Sequence, residues 1–266
     1  MNKTSFTGSI VRGVAAAALA AALICSGITA GAAAPKAVAS AKKQTVNYKL
    51  PLNEVLTYNI KAFGIAIGSQ TNTTRGLVAK DGVQTVNIFS AIKSSPWVVI
   101  VSINNSMETF MDASTLVPVM YHETANEKDW KSDETDKFYK DYFTFDTKKG
   151  MELDRKEKGK VTYKERPQDE LSLIYYVRQL DLEVGKTYKV PACVDNALTT
   201  AEIKVASKKK LKTIHGEKDV FYITSSLGES KFYIGADEKR IPYRFEVKLN
   251  FGVMSGVLKE YSPEVK

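Results

Sequence analysis

From Ile241 to Phe251 apolar side chains fall on every second residue, a pattern that a long strand with one dry and one wet face satisfies. Ile241, Tyr243, Phe245, Val247, Leu249 and Phe251 share one side, and Pro242, Arg244, Glu246, Lys248 and Asn250 share the other. The same period returns in Leu56, Tyr58, Ile60 and Ala62, in Val86, Ile88 and Ile92, and in Ala201, Ile203 and Val205. Trp97 to Val101 is apolar at every position, which predicts a strand covered on both faces.

Turn chemistry separates these runs: Lys80-Asp81-Gly82, Lys148-Lys149-Gly150, His215-Gly216 and Ala236-Asp237-Glu238, where glycine and aspartate accept positive φ. The spacing predicts a mainly β chain, a single antiparallel meander of about a dozen strands. An open sheet leaves two unpaired edges, so the expected architecture is a barrel, closed or nearly closed.

One segment breaks the rhythm. Between Gln168 and Gln179, Leu171, Ile174 and Tyr175 share a helical face, and Leu173, Tyr176, Val177 and Leu180 make it apolar almost all round. Asp169 and Glu170 suit the positive end of a helix, and Gly185 lies beyond its stop. A helix without a polar face needs burial on several sides, so 168–179 is expected to cover or fill one end of the barrel.

The first 39 residues belong to another class. Lys3 and Arg12 precede an alanine-rich stretch from about Val14 to Ile28, and small residues follow, the marks of a secretory signal peptide. Cleavage falls within 32–41, with Ala37-Val38-Ala39 before Ser40 preferred. Cys25 is preceded by Ile24 rather than a small residue, which argues against lipidation. The expected product is one exported domain, 40–266, with the periplasm as its compartment and no transmembrane segment in the mature chain. Loss of Lys3, Arg12 and Lys36 leaves 35 basic against 30 acidic residues, a net charge of +5. That mild excess favours contact with anionic lipid or polysaccharide and lacks the basic face of a nucleic-acid binder. Cys193 is then the only cysteine, so no intramolecular disulfide forms and stability rests on the core.

Among reaction centres, the sequence holds no Gly-x-Ser-x-Gly elbow, no His-Glu-x-x-His, no phosphate-binding glycine loop and no paired-cysteine metal site. His122 and His215 are the only histidines, too few for an imidazole-rich metal centre. No catalytic residue, metal or cofactor is assigned. His122 neighbours Glu123, but adjacent strand residues face opposite ways. Cys193 sits among apolar neighbours, as a packed rather than a reactive thiol does. The acid- and lysine-rich stretch from Glu123 to Asp136 and the Lys208-Lys209-Lys210 run read as solvated. The ligand-binding candidates are Tyr175 and Tyr176, amphipathic rings suited to a cavity wall, and Arg178, Arg240 and Arg244, whose guanidinium forks suit a carboxylate or phosphate. Each has an ordinary structural role as its alternative: core packing for the tyrosines, helix-end and rim charges for the arginines.

The run Gln168-Asp169-Glu170-Leu171-Ser172-Leu173-Ile174-Tyr175-Tyr176-Val177-Arg178, followed by Leu180-Asp181-Leu182 and Gly185-Lys186, resembles bacterial exported proteins classed as domain of unknown function 3108. Leu56-Thr57-Tyr58 with Gly64-Ile65, Phe110-Met111-Asp112 with Thr115-Leu116 and Pro118, and Arg240-Ile241-Pro242-Tyr243-Arg244 add to the resemblance, which spans nearly all of the chain after its leader. It implies an exported β-barrel-like domain and lends no catalytic residues.

The leading expectation is a non-catalytic extracytoplasmic protein that binds an apolar or amphipathic envelope molecule, a lipid or glycolipid, under the 168–179 helix. The alternative is an envelope scaffold with a packed interior and a protein partner; a hydrolase of cell-wall material ranks third.

Overall fold

The computed structural model describes residues 50–98, 102–249 and 252–263. The leader at 1–39, Cys25, the cleavage positions, residues 99–101 of the apolar run and Asn250 and Phe251 lie outside the described residues.

Fourteen strands follow one another: β1 Val55–Ala62, β2 Ile65–Lys80, β3 Val83–Ser94, β4 Asn104–Asp112, β5 Pro118–Glu127, β6 Trp130–Phe138, β7 Tyr142–Lys149, β8 Arg155–Thr162, β9 Thr187–Val194, β10 Ala197–Thr213, β11 Gly216–Ser225, β12 Lys231–Gly235, β13 Pro242–Leu249 and β14 Gly252–Ser262. Among the described residues one α-helix, α1, spans Ser172–Val177 between β8 and β9, and a 3₁₀ turn spans Leu227–Glu229. All strands join one antiparallel sheet in the order β8 to β1, then β14 back to β9. Tight turns keep neighbours in sequence adjacent in space, as at Asp81 (φ 49°) and Gly82 (φ 78°) between β2 and β3.

Of the two expected forms, a closed or a nearly closed barrel, the closed one does not occur. β8 and β9 end the sheet without pairing to each other. The β8 edge carries Arg155, Lys156, Glu157, Lys158 and Lys160, exposed charges that discourage further strand pairing. The β9 edge is taken locally by the chain before α1: Gln168 donates its N–H to the Pro191 carbonyl (2.8 Å) and accepts the Cys193 N–H (2.8 Å). The chain thus crosses from one edge of the sheet to the other and enters the interior as it does so.

Helix α1 is shorter than the 168–179 expectation, because Asp169 uses its side chain to end the extended run. Its Oδ1 accepts the N–H groups of Leu171 (2.9 Å) and Ser172 (2.7 Å), while Ser172 Oγ accepts the Asp169 N–H (2.9 Å). All of Ser172, Leu173, Ile174, Tyr175 and Val177 are buried, so the all-round apolar character is matched by all-round cover.

Arg178, which ends α1, is fixed by an ion pair with Glu54, the residue before β1. Both side chains are 1% exposed; Nη1 and Nη2 donate to the two carboxylate oxygens at 2.7 and 2.9 Å. The Arg240 carbonyl accepts from Nε (3.0 Å) and the Lys239 carbonyl from Nη2 (3.3 Å). The helix is thereby tied to the centre of the sheet, at β1, and to the turn between β12 and β13.

Around this lock the strands pack one contiguous apolar core. Tyr58 meets Phe245 edge to face (5.4 Å) and donates its hydroxyl to the Pro242 carbonyl (2.8 Å). Phe245 lies over Gly256, its cross-strand partner on β14, where an added Cβ would stand 2.1 Å from the ring. Phe145 covers Gly159 in the same way. Tyr243, Phe245, Val247 and Leu249 are buried, as their spacing requires. Ile241 is buried too but precedes the strand, and a register shift between Pro242 and Arg244 breaks the alternation there, so that Pro242, expected on the wet side, is buried. Trp97 departs from expectation: it is 61% exposed on a turn rather than inside a covered strand, because the proline at 96 and the Val98 N–H to Ser95 carbonyl bond turn the chain there.

Removing one member of the buried pair leaves the other charge without a partner, which costs about 3–5 kcal/mol. Glu54→Gln is expected to lower urea-unfolding stability by that order, and Glu54→Leu combined with Arg178→Met by much less.

Candidate functional site

The inner faces of β2 to β7 are polar where the rest of the core is not. In successive cross-strand positions Asn72, Ser90, Met107, Glu123, Glu134 and Thr147 stand side by side, and in the next row Thr74, Ile88, Thr109, Tyr121 and Asp136. Gln70 donates to Asn72 Oδ1 (2.9 Å) and Ser90 Oγ (3.0 Å). Across the interior the Asp195-Asn196 turn after β9 leans onto β6 and β7: Asn196 Nδ2 donates to Glu134 Oε2 (3.1 Å) and Thr147 Oγ1 (3.2 Å).

Carboxyl groups gather where β5 and β6 meet the start of α1. Glu123 and Glu134 are direct cross-strand partners, an arrangement that two full negative charges would destabilise. Burial and the neighbouring Glu134 push Glu123 up to about 7, although Tyr121 donates to it (3.0 Å). Burial also raises Glu134, against hydrogen bonds from Thr147 and Asn196. Asp136 is pushed up to about 8 by burial and the surrounding acids, and Glu170 well above its ordinary range by burial and Glu123. Asp169 rises to about 6 through burial, moderated by a short bond from Thr109 (2.5 Å) and the backbone N–H groups described above. Glu127, bonded by Asn105 Nδ2 (3.0 Å), rises to about 7 through burial. At neutral pH these groups share protons, and a protonated carboxyl is a hydrogen-bond donor as well as an acceptor.

The composition of the stretch from Glu123 to Asp136 predicts a solvated loop or strand ends; the structure makes it the adjoining ends of β5 and β6, and these are not wholly solvated. It is a hairpin with Glu127 and Asp136 buried and Glu123 and Glu134 half-buried. Alternation gave the available signal: Glu123 shares a face with Tyr121, and Glu134 and Asp136 share one with Phe138.

Other groups with reactive potential stand apart. His122 points to the opposite face from Glu123, where it meets Asp133 (3.1 Å). His215 meets the Tyr243 hydroxyl (3.2 Å) at an exposed turn. Cys193 is a free, buried thiol 4.0 Å from Asp136 Oδ2, and burial beside those acids pushes it up, away from the thiolate. Among the described residues no group of three or more His, Cys, Asp or Glu is arranged to hold a metal ion.

Of the five sequence candidates, Tyr175, Arg178 and Arg240 share one neighbourhood. The Tyr175 ring lies 5.5 Å from the Arg178 guanidinium, and burial pushes its hydroxyl up, beyond the ordinary phenol range. Arg178 is committed to Glu54 and two carbonyls, and Arg240 places its guanidinium over Phe221 (4.8 Å). Tyr176 is half-buried against the core. Arg244 is on the outer face, paired with Glu246 (2.8 Å), and does not join them.

A model of the family described as "Protein of unknown function (DUF3108)" matches residues 56–259. The chain belongs to that family. The DUF3108 match runs from β1 into β14 and includes every strand that lines the polar rows. Among solved structures, the chain is similar to a β-barrel-like protein of domain of unknown function DUF1849 from Brucella abortus. The TM-score is 0.51 at 10% identity, over 80% of this chain and 98% of that one. A protein with a YmcC-like fold from Bacteroides fragilis, described as exported, aligns at TM-score 0.36 and 8% identity, over 79% of this chain and 96% of that one. No curated protein matches the chain. The Brucella likeness supports a β-barrel-like fold for this DUF3108 chain. No helix among its described residues is long and apolar enough to cross a membrane.

An acid that is raised in the folded state holds its proton there while the unfolded chain, with values near 4, has lost it. The contribution of these acids to folding stability should thus be full below about pH 4, be lost as pH rises from there through about 6 to 8, and change no further above that. Thermal unfolding between pH 5 and 9 checks this, and Asp136→Asn should flatten the decline, gaining on the order of 1–3 kcal/mol over the wild type at the alkaline end.

Proposed function

We propose that the protein is an extracytoplasmic, non-catalytic binding protein for an amphipathic envelope molecule, a lipid or glycolipid, whose polar part meets the inner rows of β2 to β7. One observation carries this reading. Seven interior polar atoms have no protein partner: Gln70 Oε1, Asn72 Nδ2, Glu127 Oε2, Asp136 Oδ1, Gln168 Oε1, Glu170 Oε2 and Asn196 Oδ1. Left dry, each costs about 1–3 kcal/mol. Their sum would match or exceed the roughly 5–15 kcal/mol by which a domain is stable. These atoms therefore meet water or the hydrogen-bonding groups of a ligand.

Apolar neighbours supply the other half of an amphipathic fit, since Ile88 and Met107 lie in the same inner rows. A headgroup rich in hydroxyls or bearing an amine suits carboxyl groups that accept and, when protonated, also donate. Export, with the periplasm as the working compartment, fits the leader pattern at 1–39, and a family relationship without assigned chemistry fits a binding role. The contiguous core around α1 favours a second reading, an envelope scaffold whose interior is filled by its own side chains.

The two readings separate on what travels with the protein. Protein isolated from its native compartment, extracted with organic solvent and analysed by mass spectrometry, should yield a lipid or glycolipid near one per chain. Asn72→Leu should reduce that yield several-fold. Recovery of no small molecule from correctly folded protein would contradict the binding reading and favour the scaffold.

A further inference from the structure

We propose that the end of the sheet bearing Phe63, Ile65, Trp97 and Val253 is a docking surface for an anionic lipid membrane. The surface is separate from the inner polar rows and does not depend on what they bind.

These residues stand on adjoining hairpin tips at one end of the sheet. Ala62, the last residue of β1, pairs with Ile65 on one side and with Met254, next to Val253, on the other. The Phe63 ring lies 3.0 Å from where a Cβ on Gly252 would stand. Ser95 donates its N–H to the Ile67 carbonyl (2.9 Å), which lays the Trp97 turn against the start of β2. Their exposures are 72% for Phe63, 61% for Trp97, 59% for Ile65 and 52% for Val253, four of the five most exposed large apolar side chains among the described residues. Scattered singly, such residues would mean nothing; gathered on adjoining hairpin tips at one end of the sheet, they mark a contact surface.

The turn at Phe63 adds an independent sign. Phe63 adopts φ 52° and Gly64 φ 80°, the left-handed pair of a tight hairpin. Asparagine or aspartate normally takes the first of these positions, because a bulky residue there is strained. Local stability has been given up to place an aromatic ring at this tip.

Charge selects the partner. Lys61 and Lys93 lie on the outer faces of β1 and β3 beside the tips, and neither has an acidic partner among the described residues. The sequence stretches 59–74, 93–107 and 252–258 contain no aspartate or glutamate. The next tip, Lys128-Asp129, is balanced. Aromatic rings among lysines suit the headgroup boundary of a bilayer, where the ring enters the acyl edge and the ammonium meets phosphate. A stable protein interface commonly takes about 20–30 residues a side, more than these convex tips present.

Trp97 and Trp130 are the only tryptophans, so Trp130→Phe makes Trp97 a sole reporter. On adding phosphatidylglycerol–phosphatidylcholine vesicles, its emission should shift to the blue and be quenched by brominated acyl chains; pure phosphatidylcholine should do neither. In vesicle sedimentation, Phe63→Ser and Lys93→Glu, both at surface positions and checked for folding by circular dichroism, should each weaken binding about tenfold. Unchanged Trp97 emission with anionic vesicles would overturn the proposal. So would equal binding by the variants and the wild type, which would move the contact to another basic region such as Lys208 to Lys210.

Discussion

The Arg178–Glu54 ion pair is the interaction on which the rest of this structure depends. Taking both ions out of water costs several kcal/mol each, and only good geometry with further hydrogen bonds offsets that. Here the guanidinium fork is matched to both carboxylate oxygens and then to two backbone carbonyls. In a sheet whose end strands do not pair, something other than ladder closure must hold the two wings around one core. The chain from β8 supplies the crossing, Gln168 fastens it to β9, and Arg178 fastens its far end to the strand at the middle of the sheet.

With α1 held inside, the wings differ in character. The faces from β9 to β14 and β1 are lined by Val190, Ile203, Ile223, Ile234, Phe245 and Leu56 and are dry. The faces from β2 to β7 mix Ile88, Met107 and Phe143 with amides, hydroxyls and carboxyl groups. Such a surface is poor for stability and suited to recognition, because each unpartnered polar atom is a place where a complementary group gains a hydrogen bond at little further desolvation cost. The raised acids follow from the same placement: they are where they are needed by the rows, not where solvation would put them.

The strands and the buried helix were legible in the sequence because their signals are local. Tyr58, Val86, Ile203 and Phe245 face the core as alternation requires, and a segment apolar on all sides had to be enclosed. Closure was not legible, since whether β8 meets β9 depends on edges that come together only after the whole sheet has formed. Arg178 was legible both as a ligand-binding arginine and as a helix-end charge, but its partner was not, because Glu54 lies 124 positions away. At Glu134 and Asp136 two signals conflict: composition suggests water, while the shared period with Phe138 points inward, and burial follows the period.

Native-state hydrogen exchange tests the lock most directly. If Arg178 and Glu54 join α1 to the centre of the sheet, the amides of Leu173 and Arg178 should exchange only through the same opening as those of Tyr58 and Phe245, with matching free energy and denaturant dependence. Exchange of the helix amides through a separate, low-energy opening while the β1 and β13 amides stay protected would contradict it.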